Sequence, residues 1–360
     1  MLDKLFHILY DTIIITIIKK PHQIYIFTEF FYKGKSKKSY EKEFILNDSY
    51  KPYLLENYLK DFFNESPYCY ISLLDTTTEQ GAIPTCKKQE MEKFHNLVTS
   101  KYICIDDKWA CYTSKLELEK QKKLTGEEIE VDFIFSPFLI LSNFFEDKIK
   151  GIIALYAFLQ EESVTIAVFR DSQLLFGQYI DLNTLVEDEL LLENINENET
   201  SEDTDNVDID AIDLDEIDID DDFGDLDSFD DEIADLDTLD DINSLENEDS
   251  LEQQLDDNLE ELNDNNAEEE ESEEAEENKE EKLTMDFQFF SIIQKSLGTY
   301  YRNDQYQSDF VENIYVADSV GVTREFKKYV EEEMFLNVYV RTIETELELV
   351  NLTKKELEKL

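Results

Sequence analysis

The sequence predicts a duplicated α/β fold interrupted in its second half by a long acidic segment. Two observations carry this expectation. One order of elements, three β-rich runs followed by a helix and a strand, occurs twice along the chain. Charge is also sharply partitioned: residues 185–284 hold 46 Asp and Glu against Lys279 and Lys282, net −44, whereas the other 260 residues hold 41 acids and 31 bases, net −10. The acidic window has only two of the 44 aromatic residues, Phe223 and Phe229, so it cannot bury enough apolar surface to offset its ordering entropy and is expected to be disordered. The rest of the chain is large enough for two domains of ordinary size.

The first unit, residues 1–84, opens with β-rich runs at Thr12–Ile18, Gln23–Tyr32 and Ser39–Leu46. The breaks between them, Lys19-Lys20-Pro21 and Lys33-Gly34-Lys35, place turn formers between β-branched and aromatic residues, which predicts an antiparallel meander. A helix over Lys51–Phe63 follows, with Tyr53, Leu54, Tyr58, Leu59, Phe62 and Phe63 as its apolar side, and then an apolar strand at Tyr68–Leu74 suited to burial on both faces. Residues 85–150 read as a less regular insertion. It has a helix around Lys87–Val98, a strand around Trp109–Leu118 and an apolar run Val131–Phe144 that Pro137 divides into two short strands or leaves as an edge strand.

The second unit comprises 151–184 and 285–345. Its meander runs through Ile152–Leu159, Val164–Arg170 and Gln173–Leu182, turning at Glu161-Glu162 and Asp171-Ser172. Beyond the acidic segment, Thr284 is placed to cap a helix reaching Tyr301, with Phe289, Phe290, Ile293, Leu297, Tyr300 and Tyr301 buried. A strand at Asn313–Ala317, a helix capped by Thr323 and a strand at Val338–Ile343 complete the unit, and 346–360 remain as a C-terminal tail. Meander, helix and strand in succession imply parallel strands added by crossover helices.

Several functional classes are disfavoured. A net charge of −54 repels phosphate, so neither nucleic acid nor an anionic membrane is an expected partner. The most apolar run, Ile13–Ile18, is far too short to span a bilayer, and Met1-Leu2-Asp3-Lys4 does not begin a signal peptide, so a cytoplasmic location is expected. Cys69, Cys86, Cys104 and Cys111 lack C-x-x-C spacing and read as reduced thiols; His7, His22 and His95 form no zinc pattern. Asp11, Asp75 and Asp318, near strand ends, read as exposed caps and turns rather than metal ligands. No phosphate-cradling or nucleophile motif occurs, and all eight glycines are isolated. No catalytic residue, metal or cofactor is expected.

The duplicated order, the stretch from Val164 to Phe176 (VTIAVFRDSQLLF), and Asn313 to Val316 (NIYV) followed by Phe326 to Met334 (FKKYVEEEM) resemble the actin-like ATPase fold, an RNase H-like architecture. Within it they are most similar to the cytoplasmic platform proteins of type IV pilus and type II secretion assemblies, the PilM and GspL families. The resemblance covers both units but neither the acidic segment nor 85–150. It implies glycine turns that cradle nucleotide phosphates, and these are missing. Where the family has an Asp-x-Gly turn, an ungapped alignment puts Phe158 and Gln160; where it has a glycine triplet near the nucleoside, this chain has Asp318, Ser319 and Val320; the first turn, Ile18 to Ile24, holds neither acid nor glycine. The expectation is a pseudo-ATPase.

In the acidic segment, apolar residues from Val207 to Leu245 recur every two to four positions, and from Phe223 onward every three or four. Phe223, Leu226, Phe229 and Ile233 are therefore candidates for docking on a basic, grooved partner, the alternative being a solubilising spacer. Asp218, Asp220 and Asp222 approach a calcium-loop pattern, but the glycine comes one position late and Phe229 stands where the bidentate acid belongs. The expected function is a non-catalytic scaffold of a pilus, secretion or DNA-uptake assembly, docked on an inner-membrane partner and contacting the assembly motor. Two alternatives stay open: a diverged actin-like ATPase, and an acidic regulatory or chaperone-like protein acting through residues 185–284.

Overall fold

The computed structural model describes residues 10–47, 50–126, 128–184, 268–306 and 308–359, with only the backbone helix defined over 268–281. The meander of the first half comprises β1 (Thr12–Lys19), β2 (Gln23–Tyr32) and β3 (Lys35–Ile45). Helix α1 (Pro52–Glu65) then crosses over to β4 (Cys69–Leu74). An inserted region supplies β5 (Gln80–Ile83), a one-turn helix Lys88–Met91, β6 (Ser100–Ile105), β7 (Trp109–Ser114), α2 (Lys115–Lys122), β8 (Phe133–Phe135) and α3 (Pro137–Phe144). The second meander is β9 (Ile153–Leu159), β10 (Ser163–Arg170) and β11 (Gln173–Asp181). Helix α4 (Glu268–Arg302), β12 (Asn313–Asp318), α5 (Arg324–Met334), β13 (Asn337–Thr342) and α6 (Thr345–Leu357) follow.

The repeat is visible in strand order and register. One sheet runs β3-β2-β1-β4-β8 and the other β11-β10-β9-β12-β13, each an antiparallel meander extended by two parallel strands. Even the irregularities recur. Register shifts between Phe30 and Phe31 in one sheet and between Val168 and Phe169 in the other. The hairpins that follow are both closed by two residues with positive φ, Lys33 (51°) with Gly34 (77°) and Asp171 (50°) with Ser172 (63°), the backbone that matches the strand twist.

Alternation along the central strands sorts side chains into layers. In β1, Ile13, Ile15 and Ile17 pack with Leu55, Leu59 and Phe62 of α1, while Ile14 faces Val350 of α6. In β9, Leu155, Ala157 and Leu159 join Phe289 and Ile293 of α4 and Phe326 of α5, whereas Ala154, Tyr156 and Phe158 enter a core shared by both halves. That shared core also contains Ile18, Leu74, Phe138, Ala317 and Leu349. Two equivalent sheets with crossover helices around a common core constitute the duplicated actin-like (RNase H-like) fold that the sequence predicts.

Several elements differ from expectation. The helix expected from Thr284 begins at Glu268, because a run of strong helix formers, mostly Glu, precedes Thr284 and extends the helix through it. The expectation of disorder for 185–267 lies outside the described residues, as do Phe223, Leu226, Phe229, Ile233 and Asp218. The C-terminal tail is α6, which covers the first sheet. Pro137 starts a helix rather than splitting a strand: its missing N–H is harmless at the first turn, and Ser136 Oγ accepts the Phe138 amide. The helix around Lys87–Val98 shrinks to one turn, and the strand from Trp109 ends at Ser114, where α2 begins. Tyr301, expected to be buried, is partly exposed, and its hydroxyl accepts the Val311 amide. Cys86 and Cys104 form a disulfide instead of two free thiols. Cys69 and Cys111 are buried thiols, each pushed up to about 12 by desolvation.

The inserted sheet, ordered β5-β7-β6, sits close to β11 at Gly177. A Cβ there would lie 2.9 Å from Ala82 Cβ and 3.2 Å from the Ala82 carbonyl oxygen. Gly177→Ala is therefore expected to destabilise the protein by about 1–3 kcal/mol, read as a lower urea midpoint with an unchanged slope.

Candidate functional site

Both meanders bring their first turn to one cleft of about 690 Å³. The β1–β2 turn contributes Lys19, Lys20 and Gln23; the β9–β10 turn contributes Gln160, Glu161, Glu162 and Ser163; Ser319 and Val320 follow β12; and Glu344 to Glu346 open α6. Each turn closes on itself through a backbone hydrogen bond, Lys20 N–H to Gln23 O at 2.8 Å and Gln160 N–H to Ser163 O at 3.0 Å. Neither turn contains a residue with positive φ. Across the cleft Lys20 Nζ meets Glu161 Oε2 at 2.7 Å, so an ion pair ties one turn to the other.

The remaining charges are mostly acidic. The lining holds six carboxylates, Glu43, Glu161, Glu162, Asp181, Glu344 and Glu346, against three lysines, Lys19, Lys20 and Lys282, formally −3. Glu162 shows the consequence: burial first, then repulsion from Glu161 and Asp181, raise its pKa above the ordinary glutamate value.

The residues singled out in sequence separate into floor, wall and loop. Phe158 is fully buried and belongs with Ile18, Ala317 and Ile343 to the shared core beneath the cleft. Gln160 stays in the turn, its Oε1 accepting from Ser163 Oγ at 3.2 Å. Asp318 is 4% exposed and folds back into the loop that follows it. Its Oδ1 accepts the amides of Val320 (3.0 Å) and Gly321 (2.8 Å), and Oδ2 accepts that of Val322 (3.0 Å). Three amides that could cradle an external anion thus already hold an internal carboxylate. Ser319 turns away to donate to Leu159 O at 2.8 Å. Gly321, with φ +82°, retains a left-handed loop position one residue beyond the segment considered in sequence.

Sequence reasoning missed the ion pair and the Asp318 loop, because both depend on partners brought near by folding; the lone Gly321 after Asp318 was the available signal for the second. Asp11, Asp75 and Asp318 do not converge. Asp11 pairs with Lys37, and among the described residues no group of three or more His, Cys, Asp or Glu forms a metal-binding cluster. No described helix is long and apolar enough to cross a membrane.

Asp75, at the end of β4 beside the cleft residue Thr76, is 3% exposed. Its Oδ1 accepts from Thr77 N–H, Thr77 Oγ1 and Gln121 Nε2. Burial nevertheless raises its pKa above 3.8, outweighing those bonds. The folded state therefore holds this proton more tightly than the unfolded state. The contribution is most favourable below the unfolded pKa and declines as pH rises through the folded one. Asp75→Asn keeps the accepting oxygen and removes the charge. The stability difference, wild type minus variant, is expected to fall as pH rises from 4 toward neutrality in urea titrations; a difference that rises with pH would contradict the assignment.

Residues 155–358, more than half of the chain, match a family described as a domain of unknown function, DUF8341, and residues 10–142 match a second such domain, DUF8569. No curated protein matches the chain. Among solved structures it is similar to the PilM–PilN type IV pilus biogenesis complex at 8% identity and TM-score 0.44, over 93% of this chain and 89% of that one. A Bacteroides thetaiotaomicron protein with an actin-like ATPase fold and unknown function is similar at 16% identity and TM-score 0.31, over 52% and 77% of the two chains. The Aquifex aeolicus PPX-GPPA enzyme is similar at 9% identity and TM-score 0.27, over 48% of this chain and 53% of the enzyme, so the chain spans about half of its length. The stretch that forms the second sheet, Ser319 and Val320 of the cleft and helix α6 lies within the longer match, and the chain belongs to the DUF8341 family.

Proposed function

We propose that the protein is a non-catalytic actin-like scaffold of a type IV pilus, type II secretion or DNA-uptake assembly, docked through an inner-membrane partner. The Lys20–Glu161 ion pair carries the non-catalytic reading, because it engages one of the turn's two lysines with an internal carboxylate. The surplus of carboxylates, the Phe158 floor and the self-filled Asp318 loop act in the same direction: a polyphosphate entering here meets repulsion and no free cradle. The assembly and its membrane partner are inferred from the resemblance of the duplicated order and of Val164–Phe176, Asn313–Val316 and Phe326–Met334 to the PilM and GspL families.

The nucleotide test is a melting measurement. A ligand at about 100 times its Kd stabilises by about 2.7 kcal/mol. Millimolar ATP with magnesium is expected to leave the melting temperature unchanged, and a clear upward shift would restore the diverged-ATPase reading. For the assembly, in-frame deletion in the source organism is expected to abolish pilus formation, type II secretion or DNA uptake; wild-type levels of all three would remove that reading.

The acidic segment supplies a second contact in this proposal. Replacing Phe223, Leu226, Phe229 and Ile233 by Ser is expected to impair the assembly as deleting residues 185–267 does. Loss of function on deletion alone would make the segment a spacer.

A further inference from the structure

The densest positive charge in this acidic chain lies on the free edge of the first sheet. Residues 33–42 hold five lysines and one acid, Glu41. β3 ends the sheet order β3-β2-β1-β4-β8, so no described strand pairs with its outer side, and nearly all of its eleven side chains are exposed. Aromatic rings are interleaved with the charges. Lys33 and Lys37 lie over Tyr32 at 5.0 and 5.8 Å, and Lys38 lies over Phe30 at 3.9 Å and Tyr40 at 5.1 Å. Tyr32 and Tyr40 remain 40% and 47% exposed. Lys37 and Lys38 have acidic neighbours in Asp11 and Glu65, whereas Lys33, Lys35 and Lys42 make no ion pair among the described residues.

An exposed edge strand is a template for another strand, and lysines together with a bulge guard such an edge against pairing with its own copy. The same lysines select in favour of a strand carrying the opposite charge. We propose that β3 is the docking edge for an extended acidic peptide of a partner protein, which adds a sixth strand to the first sheet. Alternate carboxylates along that peptide would face Lys35 and Lys42 on one side of the sheet, with Lys33 beside them, and the intervening apolar side chains would project on the other side. Because a bulge falls at Lys37, the side chains of Lys35, Lys38, Tyr40 and Lys42 all project on the face bearing Phe44, which packs on Tyr58 of α1, so one row of carboxylates on an added strand would face the lysines. The unpaired N–H and C=O groups of this edge favour a strand over a lipid surface, which offers them no backbone partner. This assignment is independent of the cleft and of whether nucleotide binds there.

The test uses the full chain and a fluorescein-labelled peptide of twelve residues alternating Asp with Val, capped at both ends. Saturable binding is expected at 100 mM NaCl, weakening at least tenfold at 300 mM. Lys33→Glu, Lys35→Glu and Lys42→Glu together should weaken it at least tenfold, whereas reversing Lys88, Lys93 and Lys150 should leave it within twofold. A peptide N-methylated at alternate residues keeps its charge but loses its strand hydrogen bonds, and it should bind at least tenfold more weakly. Equal binding of the methylated peptide would overturn edge pairing. So would absence of binding at 100 mM NaCl, or retention of phosphatidylserine vesicles by the wild type without retention of the peptide.

Discussion

Phe158→Asp, which puts an acid where the family resemblance implies one, is expected to leave the protein unfolded. Removing a buried Phe side chain costs about 3–5 kcal/mol, and an unpaired carboxylate in the same apolar space costs several more. Together these approach the whole stability of a domain, about 5–15 kcal/mol. The ring is fully buried in the core shared by both halves, so no solvent path relieves the charge. Urea unfolding or soluble yield reads the effect. Phe158→Leu, which keeps the site apolar, should fold with a loss of about 1–2 kcal/mol. Gln160→Gly, in the turn above, should change stability by less than about 1 kcal/mol. If Phe158→Asp folds within 2 kcal/mol of wild type, the floor is open to water and the pseudo-ATPase proposal loses that support.

Asp318→Ala should carry the second largest cost, about 2–5 kcal/mol. Three amides, those of Val320, Gly321 and Val322, lose a charged acceptor at once, and an unsatisfied buried donor costs about 1–3 kcal/mol. The figure falls below three times that penalty because Ser319 and Val320 border the cleft, from which water can reach the loop. Asp318→Asn retains the oxygen that serves Val320 and Gly321 but offers Val322 no acceptor, so about half the loss is expected. The vacated amides also make a chemical prediction. Sulfate or phosphate at tens of millimolar should raise the melting temperature of Asp318→Ala more than that of wild type, since a ring of N–H donors is an anion site once its own carboxylate is gone. Equal shifts in the two proteins would mean that the loop rearranges instead of opening.

Local sequence was sufficient for the repeat and for the turns. Runs of β-branched and aromatic residues and the breaks at Lys33-Gly34 and Asp171-Ser172 specify the meanders, because strand preference and positive-φ turns depend on neighbouring residues. The structure closes both hairpins at these positions. The charge partition likewise required only counting. Tertiary structure decided the rest. Pro137 begins a helix because Ser136 caps it, and the last thirteen-residue helix is no tail because Val350 reaches the first sheet's Ile14 across the whole chain length. The same holds for the cleft. Lys20 and Glu161 are 141 residues apart in sequence, and only the apposition of two folded hairpins makes them an ion pair. Phe158 read in sequence as a missing acid. That it is the floor of the site follows from its strand placing it on the face that both halves bury, which no local pattern specifies.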